Sequence, residues 1–246
     1  MRNFTALLFA GGLAFFLLVI TYQFFFGASP MLVGSAILGQ GADELGAANL
    51  VTSVVLGYRG IDTLGEIAIL FTASTATALV LSNLGDTAEY HHPESQGGGE
   101  VLQGSANLLF PLLLTLGLYI ILHGHLTPGG GFQGGVILAT AFFLPILAMP
   151  SRAVNHSGLA LVEGFSGAAF ILIGLVALFQ GGSFLQPYLS KGEFGSLFSA
   201  GTLPLLYIAL GLKVGAELSS LLSRLAEIPN HQNSTTPIAQ TTEGES

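Results

Sequence analysis

The chain has 246 residues, 51% hydrophobic and only 8% charged, where a soluble domain carries roughly a quarter charged residues. Its net charge of -8 with only 6 scattered Lys and Arg excludes a nucleic-acid binder. The absence of cysteine excludes disulfides, iron–sulfur clusters and thiolate metal sites within the chain. The class that remains is an all-α integral membrane protein.

Residues 4–26 are a continuous apolar run after Arg2, long enough for one crossing. A cleaved signal peptide is the rival reading, but the run exceeds the roughly 7–15 residues of a signal core. Residues 27–48 read as a small-residue connection with Asp43 and Glu44, too short in apolar length to span. Within 45–56, Leu50, Val51, Val54 and Val55 recur at helical spacing and predict a short interfacial or buried helix. Residues 61–82 form the second crossing.

Residues 84–104 are polar and glycine-rich, with the composition of a linker. They divide the chain into a two-span part, 1–83, and a four-span part, 105–227. The latter predicts crossings at 105–123, 132–149, 158–179 and 197–222, about six in all. From 228 to 246 there is too little apolar surface for order, and a disordered tail is expected. Six spans put both termini on one side; Arg2, Arg152 and Arg224 against Arg59 and Lys191 favour the cytoplasm for it.

No fixed-period repeat or inverted pair of halves is evident, against a self-contained carrier of two matching bundles. Gly211-x-x-x-Gly215 and Gly164-x-x-Gly167 have the spacing of close helix contacts, within the chain or with a partner subunit.

The densest run of unusual residues is 119–135, Y-I-I-L-H-G-H-L-T-P-G-G-G-F-Q-G-G. Pro128 lacks a backbone N–H, and Gly129, Gly130 and Gly131 tolerate positive φ, so the segment suits a tight turn between two membrane helices. Irregular backbone at membrane depth survives only beside protein or water, which makes it a candidate cavity lining. His123 and His125 are two apart and cannot chelate one metal from a regular helix. Either could pass protons near neutral pH or bond the turn's carbonyls.

Ionisable residues inside apolar spans are the other signal. Asp62 and Glu66 share a helix face with Arg59 just before them. Asp62 suits the helix dipole in a first turn; Glu66, a turn deeper, fits a relay or a cap equally. Lys213 and Glu217 lie four apart in the final span, and Glu163 in the fifth is the other acid that could reach the lysine. A lysine at that depth costs roughly 2.5–3.5 kcal/mol unless it meets a partner or water. The ion-path candidates are therefore Asp62, Glu66, Glu163, Lys213, Glu217, His123 and His125. No metal site, cofactor or enzyme motif is found: G-G-G-F-Q-G-G lacks the Lys-Ser/Thr of a nucleotide loop, and neither G-x-S-x-G nor H-E-x-x-H occurs.

His125-Leu126-Thr127-Pro128-Gly129-Gly130-Gly131-Phe132-Gln133-Gly134-Gly135 resembles the G-H-x-x-P-G-G-G-F-x-G-G signature of the MnhB/MrpB subunit of Mrp-type multisubunit sodium/proton antiporters. The resemblance covers roughly 103–224. Tyr58-Arg59-Gly60-Ile61-Asp62-Thr63-Leu64-Gly65-Glu66 is similar to the F-R-G-x-D-T-L-G-E segment at the C-terminal end of the large antiporter subunit, which also occurs as a small separate subunit of membrane-bound hydrogenases. The resemblance implies a fusion of neighbouring subunits joined near 84–104. It further implies a non-catalytic, multi-pass subunit in the plasma membrane that works with other subunits, the lipid bilayer, sodium ions and protons. A sodium-translocating module of a hydrogenase-like redox complex, or a pure scaffold, are the alternatives.

Overall fold

The computed structural model describes residues 2–23, 31–85, 98–149, 155–180 and 182–226. Most of the expected linker and the whole expected tail lie outside them. Among the described residues there is no strand. The helices are α1 (Arg2–Gln23), α2 (Leu32–Leu45), α3 (Leu50–Thr52), α4 (Gly60–Gly85), α5 (Glu100–Leu122), α6 (Gly131–Ala148), α7 (His156–Phe179) and α8 (Leu203–Ala226). A π-helical turn, Ser53–Tyr58, extends α3. Six helices, α1 and α4 to α8, are long and apolar enough to cross a membrane, so the expected class of about six spans holds.

The chain divides into two compact units, residues 1–40 and 41–246. The first holds α1 and most of α2. In the second, α8 is the central helix, packed against α4, α5, α6 and α7. Leu203, Leu206, Leu210 and Val214 of α8 are almost wholly buried and join Ile121, Leu138 and Phe170 from three neighbouring helices in one core. Lipid tails are as apolar as leucine, so within a membrane this core is held by close van der Waals packing rather than by removal of apolar surface from water.

Small residues set the approach of α6 to its neighbours. A Cβ on Gly135 would stand 2.9 Å from the carbonyl oxygen of Gly211, and one on Gly117 would stand 3.1 Å from that of Gly134. The Gly211-x-x-x-Gly215 pair thus packs within this chain, where Gly215 faces Leu138 of α6.

Three expectations are corrected. Residues 27–48 are not a mere connection, because Leu32–Leu45 is helical; its glycines at 34, 39 and 41 gave it the look of a loop. The short helix expected over 45–56 starts only at Leu50, since Gly46 turns back with φ 69° before it. The final span starts at Leu203 and not at 197. Before it, residues 182–202 form an irregular strap that includes Leu185 and Ala200, both with φ 66°. Positive φ costs non-glycine residues energy. Leu185 is buried against Gly60 at the start of α4 and Gly174 of α7, so its packing offsets that cost.

Candidate ion-path site

Helix α8 places Lys213 and Glu217 one turn apart on one face, and α7 brings Glu163 to the same point. The Lys213 ammonium donates to Glu163 Oε1 at 2.9 Å. It stands 2.8 Å from Glu217 Oε2, but at an angle that completes no hydrogen bond, and neither Glu217 oxygen has another partner among the described residues. The third neighbour is Phe71 of α4, whose ring centroid lies 4.9 Å from Nζ, a cation–π distance. The Lys213 stem passes Gly167, one turn beyond Glu163, where a Cβ would sit 3.5 Å from Cε.

The lysine side chain is 7% exposed, Glu163 19% and Glu217 0%. Two carboxylates and one ammonium leave one negative charge uncompensated in a helix-enclosed site. Such a charge costs several kcal/mol in low dielectric unless a further cation, a proton included, joins it.

The other charged candidates are elsewhere. Arg59 donates from Nε to Asp62 Oδ2 at 2.6 Å, and both side chains are more than half exposed, so the pair contributes about 0–1 kcal/mol. Glu66 is exposed and makes no hydrogen bond or ion pair with the described residues. Beside this end of α4, Tyr58 donates to Glu44 Oε2 at 2.5 Å; that bond, then desolvation, pushes its hydroxyl up to about 12.

The glycine turn forms a second polar centre between α5 and α6. Asn49 Nδ2 donates to the carbonyls of Gly124 at 2.8 Å and Thr127 at 2.9 Å, while its own N–H donates to the His125 carbonyl at 3.0 Å. Thr52 Oγ1 donates to the Gly124 carbonyl at 2.7 Å and lies 2.8 Å from Tyr207 Oη. Gly130 has φ 151°, and a Cβ there would collide with the Tyr207 ring at 2.8 Å. Among the motif residues, Gly131, Gly134 and Gly135 are buried, Phe132 and Gly129 are half-buried, and Pro128 is exposed.

The two histidines differ. His123 Nδ1 lies 3.1 Å from the Tyr119 carbonyl and its ring stacks on Tyr119. His125 is fully buried with neither ring nitrogen hydrogen-bonded among the described residues. Burial pushes its imidazole below the ordinary value, and the backbone of Ser196 and Leu197 facing the ring offsets this only in part.

Sequence reasoning named Lys213, Glu163 and Glu217 but missed Asn49, Thr52, Tyr207 and Phe71, and it named Gly167 only for helix packing, not for its contact with the Lys213 stem. Asn49 was findable, because an Asn directly before an apolar helical run is an N-cap signal, and its Oδ1 does accept from the Val51 N–H at 3.0 Å. Phe71 carries no such mark in an oily helix.

Among known proteins, the family described as "Domain related to MnhB subunit of Na+/H+ antiporter" matches residues 101–220, which hold the whole charged triad. An uncharacterised protein of Methanocaldococcus jannaschii is 35% identical over 195 residues, covering 70% of this chain and 74% of that protein. The chain belongs to the MnhB family of antiporter subunits. A chain of an archaeal respiratory complex, the membrane-bound sulfane sulfur reductase, superposes on this MnhB-family protein with a TM-score of 0.77 at 38% identity, covering 92% of this chain and 98% of that one. A chain of the Mrp complex from Dietzia sp. superposes with a TM-score of 0.72 at 22% identity, covering 96% of this chain and 27% of that one, and shares the fold. The protein is thus a multi-pass membrane subunit of the kind found in multisubunit cation/proton antiporters.

Proposed function

We propose that this MnhB-family subunit contributes a charged station to the ion path of its complex, with Glu163 and Glu217 as acceptors of a proton or sodium ion and Lys213 as the resident counter-charge. The observation that supports the reading is the unequal count, two acids on one ammonium inside the bundle. A structural fastening needs only one acid per lysine. A site that loads and unloads a cation needs the spare charge.

In this reading the chain is not itself an enzyme, and it acts with other subunits in the plasma membrane with both termini in the cytoplasm. Residues 1–83 correspond to the end of the large antiporter subunit. Supporting this, a Mrp-complex chain several times longer covers 96% of the present one. The experiment is cation-dependent proton transport in vesicles containing the assembled complex, comparing Glu163→Gln and Glu217→Gln with the parent, and a native gel to score assembly. Loss of transport in an intact complex supports the reading. Loss of the complex itself supports the scaffold alternative.

The likeness to the sulfane sulfur reductase chain at 38% identity favours a second reading, in which redox chemistry in other subunits drives the same module. Iron–sulfur absorbance in subunits co-purifying with the tagged chain would select it, and a complex without such absorbance would select the antiporter.

A further inference from the structure

Helix α4 carries an acid that the triad does not use. Asp62 is in its first turn, where the helix dipole and Arg59 both favour a carboxylate. Glu66 stands one turn deeper, about 9 Å from the helix start at 1.5 Å per residue, beyond the reach of the dipole. It is exposed, with no hydrogen bond or ion pair among the described residues.

The helix shows which way that acid faces. At about 100° per residue, Asp62, Gly65, Glu66, Ile69, Ala73, Ala76 and Val80 share one face, and every one of them is exposed. The opposite face holds Thr63 and Ile67, both buried, with Thr63 Oγ1 donating to the Val55 carbonyl at 2.6 Å. So α4 packs inward on one side and presents outward an apolar face, Ile69 71% and Val80 58% exposed, interrupted by one unpaired charge. Hydrocarbon alone is a poor environment for that charge, and acids in membrane helices face protein or water.

Among the described residues, three of the chain's cations are engaged elsewhere. Arg59 holds Asp62, Lys213 holds the triad, and Lys191 donates to the Asp43 carbonyl. Arg224 is in the last turn of α8, and the span of α1, Phe4–Tyr22, contains no lysine or arginine. We infer that the outer face of α4 docks a membrane helix of another subunit, one that carries a lysine or arginine level with Glu66. Gly65, with open space where a Cβ would be, lets that helix come close beside the acid. This stands on α4 alone and is independent of the ion-path reading.

The test uses the full chain in its membrane complex, with the photo-cross-linker p-benzoylphenylalanine at Ile69 or, as the inward control, at Ser74. The expected result is an adduct from position 69, at least tenfold stronger than from 74. Its cross-linked peptide should map to a membrane helix of another subunit with a lysine or arginine within one turn of the link. Glu66→Lys should lower that adduct at least tenfold, and reversing the mapped partner cation to glutamate should restore it. Adducts to lipid, to a second copy of this chain, to α1, or to a helix without a cation would overturn the inference. So would an unchanged adduct in Glu66→Lys, or a Glu66→Gln complex that keeps the adduct at full yield while losing transport.

Discussion

Lys213 of α8 and Glu163 of α7 meet across two helices, 50 residues apart in sequence, with Nζ donating to Oε1 at 2.9 Å. Glu217, on the lysine's own helix, contributes charge at 2.8 Å without a completed hydrogen bond. The acid from the distant helix is therefore the better-bonded partner. The near one is wholly buried and held by the ion pair alone.

That asymmetry predicts unequal consequences of substitution. Lys213→Ala leaves two enclosed carboxylates without a counter-charge and should destabilise the subunit by about 3–5 kcal/mol, the cost of breaking a buried pair by removing one partner. Glu217→Gln removes the uncompensated charge and should leave the melting temperature unchanged or higher. Thermal unfolding of the purified complex checks both. A Lys213→Ala protein as stable as the parent would show that water already solvates the site.

Room for the lysine is a second prediction. A Cβ at Gly167 would meet the Lys213 stem at 3.5–3.6 Å, an ordinary contact, so Gly167→Ala should retain transport. Gly167→Leu should push the ammonium off Glu163 and abolish it. Vesicle transport on the two variants separates these outcomes, and equal activity in both would mean that the stem does not lie where the geometry puts it.

The turn makes a third. Thr52 Oγ1 serves both the Gly124 carbonyl and Tyr207 Oη, and the carbonyl also accepts from Asn49 Nδ2, so Thr52→Val should cost about 1–3 kcal/mol chiefly by leaving the buried Tyr207 hydroxyl unpaired. Thr52→Ser keeps the hydroxyl and should cost clearly less. Melting curves of both variants decide it; equal losses would assign the effect to the threonine methyl.

His125 gives a pH dependence. Its folded-state affinity for protons is lowered by burial, so above about 6.5, its ordinary value, both folded and unfolded states are neutral there and stability is full. As pH falls through about 6.5 the unfolded chain takes the proton first, and stability should decline. His125→Gln should flatten that decline in melting temperatures measured from about pH 8 to about pH 5.5. An unchanged slope would place the titrating group elsewhere.

Much of the site was legible in the sequence because charge stands out against hydrocarbon. Lys213, Glu217 and Glu163 are conspicuous for their depth in apolar runs, and a lysine there demands a partner. Which acid bonds better was not legible, since it depends on how α7 and α8 cross. Helix α2 was hidden by its glycines. The start of α8 was displaced because Phe198 and its neighbours are apolar, whereas Gly192, Gly195 and Gly201 take positive φ and keep the strap irregular. The clamp on the glycine turn joins residues more than 70 positions apart, such as Asn49 and Gly124, and no local pattern announces a contact of that range.

The most direct measurement is cation-dependent proton transport by the assembled complex reconstituted in sealed vesicles, with Glu217→Gln against the parent and subunit content verified on a native gel. The spare-charge account predicts a complete complex whose transport falls at least tenfold. A complete complex that transports at the parental rate would contradict it.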